Sequence, residues 1–156
     1  MRLYLILVAI SLIFVILQVS FFSVFNLYSD IALSYILAVT YQNRSSVSVN
    51  VAFSTGILLD GLGNANFGVF TLFYTVFTVL SMYVFKFFGA KFIALPITAF
   101  TLFIIEVLFL SRFMLVKADI ISGIFTALLS CLLYPLVLFI FGKFGQNDPT
   151  QLRMVL

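Results

Sequence analysis

Three long stretches of the sequence contain no charged residue, and they set the class of fold. They run from Leu3 to Ser29, from Gly61 to Phe85 and from Ile120 to Gly142, and they have 27, 25 and 23 residues. A helix that crosses a bilayer needs about 20 mostly apolar residues. Only 8% of the chain is charged, whereas a water-exposed surface needs roughly a quarter. The sequence therefore predicts an all-α polytopic membrane protein and excludes a soluble globular domain.

The residues that usually carry chemistry are scarce. The chain has no histidine and one cysteine, Cys131, which excludes histidine-assisted nucleophiles, histidine-ligated metals and cysteine-based zinc sites. No Lys/Arg cluster is present to lie along nucleic-acid phosphates. Six spans of about 20 residues each leave little chain for any separate domain. We expect residues 1–156 to form one integral membrane domain that is not an enzyme and binds no cofactor, metal or nucleic acid.

Charged and turn residues divide the chain into six apolar segments. Segments 2 and 3 are short, because 13 uncharged residues separate Asp30 from Arg44 and 15 separate Arg44 from Asp60. As helices they would measure only about 20 to 23 Å. They could span with tapered polar ends, thin the bilayer locally, or form a re-entrant hairpin shielded by other helices. The predicted segments lie near 3–25, 31–41, 47–59, 67–86, 92–110 and 119–141, with a cytoplasmic tail over 142–156.

The distribution of basic residues predicts that both termini face the cytoplasm. Cytoplasmic loops carry an excess of lysine and arginine. An inner N-terminus gives a clear bias, because six basic residues fall inside and two outside. The inner residues are Arg2, Arg44, Lys86, Lys91, Lys143 and Arg153, and the outer ones are Arg112 and Lys117.

Two segments carry hydroxyl residues at helical spacing, so these faces should point into the bundle. They favour helix packing, and a cavity for a small ligand is the alternative. Ala52 and Gly56 form a small-x-x-x-small pair that permits close helix contact. We expect the phenylalanines of segment 4 (Phe70, Phe73 and Phe77) to be lipid-facing. The hydroxyl stripes comprise Thr71, Thr75, Thr78 and Ser81, with Tyr74 beside them, and Ser122, Thr126 and Ser130, continued by Tyr134.

Two acids stand out by position. Glu106 lies well inside a predicted span, where a carboxyl either pairs with a neighbouring helix or partner protein or takes part in proton coupling. Its helical angle to Arg112 puts the two on different faces, so we expect no direct pair. Asp60 ends the third segment. An aspartyl protease would need a second apposed aspartate, for which Asp30 and Asp119 show no catalytic motif, so we expect Asp60 to cap or anchor a helix end.

The order of these residues resembles the MreD family of bacterial rod shape-determining membrane proteins. The features are Asp30-Ile31, the basic break at Arg44, the run from Gly56 to Asp60, a Gly/Asn loop and Phe67-Gly68-Val69 before a long helix. The sequence departs from the family pattern at Ser29, where proline is usual, and at Ala52, where glycine is frequent. The match makes Asp30, Gly56, Asp60 and Gly68 candidate partner-binding or structural residues, and the position of Glu106 inside a predicted span adds it to them.

The resemblance implies a multi-pass protein of the bacterial cytoplasmic membrane that acts in cell-wall elongation. Proteins similar to MreD associate with MreC, which links the MreB filament to the peptidoglycan polymerase RodA and its transpeptidase. The resemblance also implies a fold similar to that of the S components of energy-coupling-factor vitamin transporters. A solute-binding S component is therefore the alternative function. S components commonly dock through an Ala-x-x-x-Ala pair on helix 1, whereas here Ala9 is followed by Ile13, which favours the scaffold.

Overall fold

The computed structural model describes residues 2–25, 30–42, 45–62, 68–88, 93–113 and 120–144, and the regular structure in these ranges is helical throughout. The prediction of an all-α fold is therefore confirmed for the described residues. The helices are α1 (Arg2–Phe25), α2 (Ile31–Tyr41), α3 (Ser45–Leu62), α4 (Val69–Phe87), α5 (Ala94–Phe113) and α6 (Ile120–Phe144).

Three stretches of helix are long and apolar enough to cross a membrane, which indicates a membrane protein. They are Leu3–Ser20 in α1, Val69–Phe87 in α4 and Ser122–Gly142 in α6. Each overlaps one of the uncharged runs of the sequence, although Val69–Phe87 extends past Phe85 and includes Lys86. The predicted polar tail was set to begin at 142, but α6 continues to Phe144. Residues 145–156, which make up most of that tail, lie outside the described residues.

The short helix α2 lies at the centre of the bundle. Nine consecutive residues, from Ala32 to Thr40, are buried, and α2 contacts each of the other five helices. Its 11 residues measure about 17 Å, which is well below the roughly 30 Å of a bilayer core. Protein surrounds α2, so it does not need the length of a lipid-facing span.

Side-chain contacts fix the direction of the helices around α2. The Tyr35 hydroxyl donates to the Leu7 carbonyl at 2.8 Å, and the Ala32 N–H donates to Gln18 Oε1 at 2.8 Å, so α1 and α2 are antiparallel. At the other end of α2, the Tyr41 ring lies edge-on to Phe85 of α4 and to Tyr134 of α6, with centroids 5.2 and 5.1 Å apart. The last turn of α2 therefore lies beside the C-terminal parts of α4 and α6.

The third segment was predicted too short. The positions of Arg44 and Asp60 predict a segment over 47–59, whereas α3 has 18 residues and runs from Ser45 to Leu62. Asp60 lies inside the last turn because its carboxylate accepts hydrogen bonds from the start of α4. An acid with such partners does not need water, so it does not end the helix.

The expectation that the phenylalanines of α4 face lipid was wrong. Phe70, Phe73 and Phe77 are all less than 10% exposed. They belong to a core cluster that also contains the small residues Ala32 and Ala52. Large rings fill the space that small residues leave between helices, and a single sequence does not reveal that pairing.

Candidate functional site

The charged residues whose side chains the structure describes divide into buried acids and an exposed lysine. Asp30 and Glu106 are 0% exposed and Asp60 is 5% exposed, whereas Lys86 is exposed. A buried ionisable group is costly unless other groups bond to it. These acids therefore mark two candidate sites. The side chains of the other basic residues used to predict orientation, including Arg112, lie outside the described part of the chain.

The first site surrounds Asp30, the residue that begins α2. Its Oδ1 accepts the Leu33 N–H at 2.7 Å, which is the usual cap of a helix N-terminus. The Tyr74 hydroxyl of α4 lies 2.9 Å from Oδ1 and 2.8 Å from Oδ2. The Asp30 N–H donates to Thr126 Oγ1 of α6 at 3.3 Å. Asp30 thus ties the start of the central helix to α4 and α6.

Two further side chains complete this site from α1 and α5. Glu106 of α5 and Gln18 of α1 both hydrogen-bond to the Asp30 carboxyl. Gln18 also accepts the Ala32 N–H through Oε1, so it bonds to Asp30 through its amide N–H₂ group. We call Gln18, Asp30, Tyr74 and Glu106 the carboxyl site. It brings together residues from α1, α4 and α5 at the N-terminus of α2.

Sequence reasoning found only part of the carboxyl site. It singled out Asp30 and Glu106 separately and noted Tyr74 beside a hydroxyl stripe, but it did not bring them together. It missed Gln18, whose only signal was a polar side chain within a long apolar run. The structure gives Glu106 a partner on a neighbouring helix, and that was one of the two roles left open for it.

The second site joins α3 to α4 and contains the other three candidate residues. Asp60 Oδ2 accepts the N–H groups of Gly68 and Thr71, each at 3.0 Å, and the Thr71 hydroxyl at 2.6 Å. Asp60 Oδ1 accepts the Phe70 N–H at 3.0 Å. The first N–H groups of a helix have no partner within that helix. Here an acid from the preceding helix supplies the partners, because the N-cap residue Gly68 has no side chain to do so.

Two glycines make this junction possible. Gly68 has a φ of +95°, in the left-handed region that side chains disfavour. Gly56 lies one turn before Asp60 on α3, and a Cβ there would overlap the Thr71 Cα and come within 2.8 Å of its nitrogen. The absence of a side chain lets the two helix backbones approach closely. We call Gly56, Asp60, Gly68 and Thr71 the α3–α4 joint.

The hydroxyl stripes point into the bundle, as their spacing predicts. Thr78, Ser81, Ser122, Thr126 and Ser130 are buried, whereas Thr71 and Thr75, nearer the start of α4, are half-buried. Four of the stripe hydroxyls donate to carbonyls of their own helix, as in Thr126 to Ser122 at 2.9 Å and Ser81 to Phe77 at 2.6 Å. The other two such pairs are Thr75 to Thr71 and Ser130 to Ala127.

A groove of about 390 Å³ lies between α4 and α5. Its walls are mostly aliphatic and aromatic, and its polar lining residues are Ser81, Thr98 and Thr101. The hydroxyls of all three donate to carbonyls of their own helices. The groove therefore offers a ligand apolar contact with little directional hydrogen bonding.

Neither a metal site nor a related protein assigns a function to these two sites. Within the described residues, no group of three or more His, Cys, Asp or Glu side chains is placed to hold a metal ion. No protein-family model, curated protein or solved structure matches this chain. The class that the structure defines is therefore a helical membrane protein with two buried acidic junctions.

Proposed function

We propose that this chain is a non-enzymatic membrane scaffold of the MreD type, acting in the machinery that elongates the bacterial cell wall. Its direct partner would be an MreC-type protein. The MreB filament, the RodA polymerase and its transpeptidase would belong to the larger complex. The proposal rests on the resemblance in the sequence, and the geometry of the α3–α4 joint supports it.

The α3–α4 joint is the observation that carries the proposal. The motif residues Gly56, Asp60 and Gly68 meet in one junction, in which one acid caps the next helix and two glycines permit the approach. Short apolar motifs often occur by chance. Residues matched by chance need not lie together in the fold, whereas these three meet at one hydrogen-bonded junction. A motif that fixes the angle between two helices suits a protein that presents rigid helix faces to partners.

The hydroxyl residues favour this scaffold over the solute-binding alternative. Most of the stripe hydroxyls donate to carbonyls of their own helix, and Thr126 also accepts from the Asp30 N–H. A site for a small polar solute would need several convergent groups that remain available to the ligand. Here most of these groups are used within the bundle, and Thr78 is the exception among the described residues.

We also propose six membrane segments with both termini in the cytoplasm of a bacterial cell. The α1–α2, α3–α4 and α5–α6 connections would then lie on the outer side. The side chains that Asp30 gathers from the end of α1, the start of α4 and the start of α6 support this arrangement. Reporter fusions at each terminus would test it, since a reporter active only in the cytoplasm should give signal at both ends. Signal at only one end would contradict it.

Co-purification tests the partner. The tagged chain should retain the MreC-type protein of its own organism from solubilised membranes, and an unrelated protein with one membrane helix should not be retained. A cross-linking measurement in intact cells should give the same pair. Failure to associate in both settings would refute the scaffold proposal, and saturable binding of a vitamin by the purified chain would replace it with the transporter alternative.

The docking face can be located with substitutions that leave the core intact. One exposed apolar residue on each helix except the buried α2 would be changed to tryptophan, and each variant would be checked for unchanged thermal stability before the association is measured. A partner that docks on one face should be lost from one or two neighbouring variants only. Suitable exposed positions are Leu5, Phe53, Leu72, Leu108 and Leu132.

A further inference from the structure

The groups around Asp30 are donors, and this determines which form of its carboxyl the fold accommodates. The Leu33 N–H, the Tyr74 hydroxyl and the Gln18 amide all direct a hydrogen atom at it. A peptide N–H can only donate, and the Gln18 oxygen is already occupied by the Ala32 N–H. Hydrogen bonds of this kind favour the ionised form of a carboxyl group. Of the two carboxyls in the carboxyl site, Asp30 is therefore the better suited to carry the negative charge.

Glu106 contacts this negative group in a fully buried position. Both residues are 0% exposed, so water screens neither of them. Two carboxylates in contact repel each other, and a hydrogen bond between them exists only if one holds a proton. Since the partners of Asp30 already donate to it, the proton lies on Glu106, which donates to Asp30.

A further buried hydroxyl lies one turn after Tyr74 on α4. Thr78 follows Tyr74 by one turn of α4, is 0% exposed, and its Oγ1 has no hydrogen-bond partner among the described residues. Side chains on a helix lean toward its N-terminus, so this hydroxyl leans toward the turn that carries Tyr74. Buried polar groups bond either to protein or to an internal water molecule.

We propose that Asp30 and Glu106 form a proton-binding site, in which one proton at neutral pH is carried by Glu106 and holds α5 against the start of α2. Removal of this proton leaves two adjacent negative charges in the core and loosens the contacts among α1, α2, α4 and α5. The groups that face the pair are Gln18 from α1, Tyr74 from α4 and Thr126 from α6, and of these only Tyr74 is titratable. This property is independent of the scaffold role.

Infrared spectroscopy tests which residue holds the proton. In a detergent without ester groups at neutral pH, the wild-type protein should show the carbonyl band of a buried, protonated carboxylic acid. Glu106→Gln should lack this band, because its amide donates to Asp30 and leaves that carboxyl ionised. Asp30→Asn should keep the band. Absence of the band in the wild type overturns the proposal, and so does its loss in Asp30→Asn.

The pH dependence of stability tests the link between the proton and the fold. An unfolded glutamate ionises near pH 4.3, at about its ordinary value, so above that pH the folded chain holds one proton more than the unfolded chain. The folding equilibrium constant should then fall about tenfold per pH unit until Glu106 ionises in the folded state. Glu106→Gln has no such proton, and its melting temperature should vary correspondingly less from about pH 5 to 8.

The same pH slope in the wild type and in Glu106→Gln would overturn the proposal. Should Glu106→Gln fail to fold, the infrared measurement on the wild type and on Asp30→Asn still decides it. Tyr74→Phe adds a matched check, because it removes a donor to Asp30 and keeps Glu106. It should lower the melting temperature and leave the pH slope and the carboxylic acid band in place.

Discussion

Replacing Gly56 with alanine should separate α3 from α4 and break the cap that Asp60 provides. The added Cβ would lie 2.8 Å from the Thr71 nitrogen, about 0.6 Å inside the 3.4 Å at which ordinary contact begins. The atoms in the way belong to the backbone, so no side chain can rotate to relieve the overlap. A separation of that size along the direction of the three backbone bonds to Asp60 would stretch them from 3.0 Å to about 3.6 Å, where a hydrogen bond is lost.

The expected loss of folding free energy combines two unfavourable contributions and one favourable contribution. Overpacking of a tight contact costs about 1–3 kcal/mol, and weakened hydrogen bonds to a buried acid add roughly 1–3 kcal/mol. Alanine returns up to about 1 kcal/mol, since it favours a helix over glycine. We expect a net loss of about 3 kcal/mol. For a chain of this length that corresponds to a fall in melting temperature of roughly 6–12 °C.

The control is Gly61→Ala, on the same helix five residues later. A Cβ at Gly61 meets no atom within 4 Å, so only the helix preference of alanine remains. This variant should be as stable as the wild type or up to about 1 kcal/mol more stable. The assay is thermal unfolding of the purified protein in detergent, followed by loss of the monodisperse size-exclusion peak. A Gly56→Ala protein as stable as the wild type would refute the reasoning, as would equal losses in both variants.

Three further variants test other contacts. Asp60→Asn should cost about 1–3 kcal/mol in thermal unfolding, because an amide cannot accept at both oxygen positions, and unchanged stability would contradict the capping geometry. Gly68→Ala should cost about 1–2 kcal/mol for its left-handed backbone, while Gly68→Asn should cost less, and equal effects would argue against strain as the cause. Tyr35→Phe removes the 2.8 Å bond to a buried carbonyl and should cost about 1 kcal/mol, whereas Tyr83→Phe on the exposed face of α4 should leave the melting temperature unchanged.

Much of the fold could be predicted because the free energy of a charged or apolar residue depends first on whether water or lipid surrounds it. A charged residue in a lipid-facing position is costly wherever it occurs in the chain, so the uncharged runs predicted the three stretches that are long and apolar enough to cross a membrane. The bounds of α2 were predicted at 31–41, as the structure has them. Gly56 was singled out by a small-x-x-x-small pattern, and the structure gives the reason in its contact with Thr71.

The same reasoning failed where a contact from another helix changed the free-energy cost of placing a residue at its position. Asp60 was taken as the end of a segment, but the N–H groups of α4 let it remain inside α3. Phe70 and its neighbours were placed toward lipid, because a large apolar side chain suits lipid and a protein core equally well. A single sequence does not show which surface a helix face will meet.

The sequence by itself determined that this protein belongs in a bilayer. It also showed which polar residues need a hydrogen-bonding partner there. Uncharged runs of more than 20 residues fit a bilayer, and each acid in such a chain needs a partner. Only the tertiary structure decided those partners. The structure joins Asp30 to Glu106, 76 positions away in the sequence, and surrounds the short helix α2 with the rest of the bundle. Periodicity fixes which face a residue occupies, but helix packing decides which faces meet.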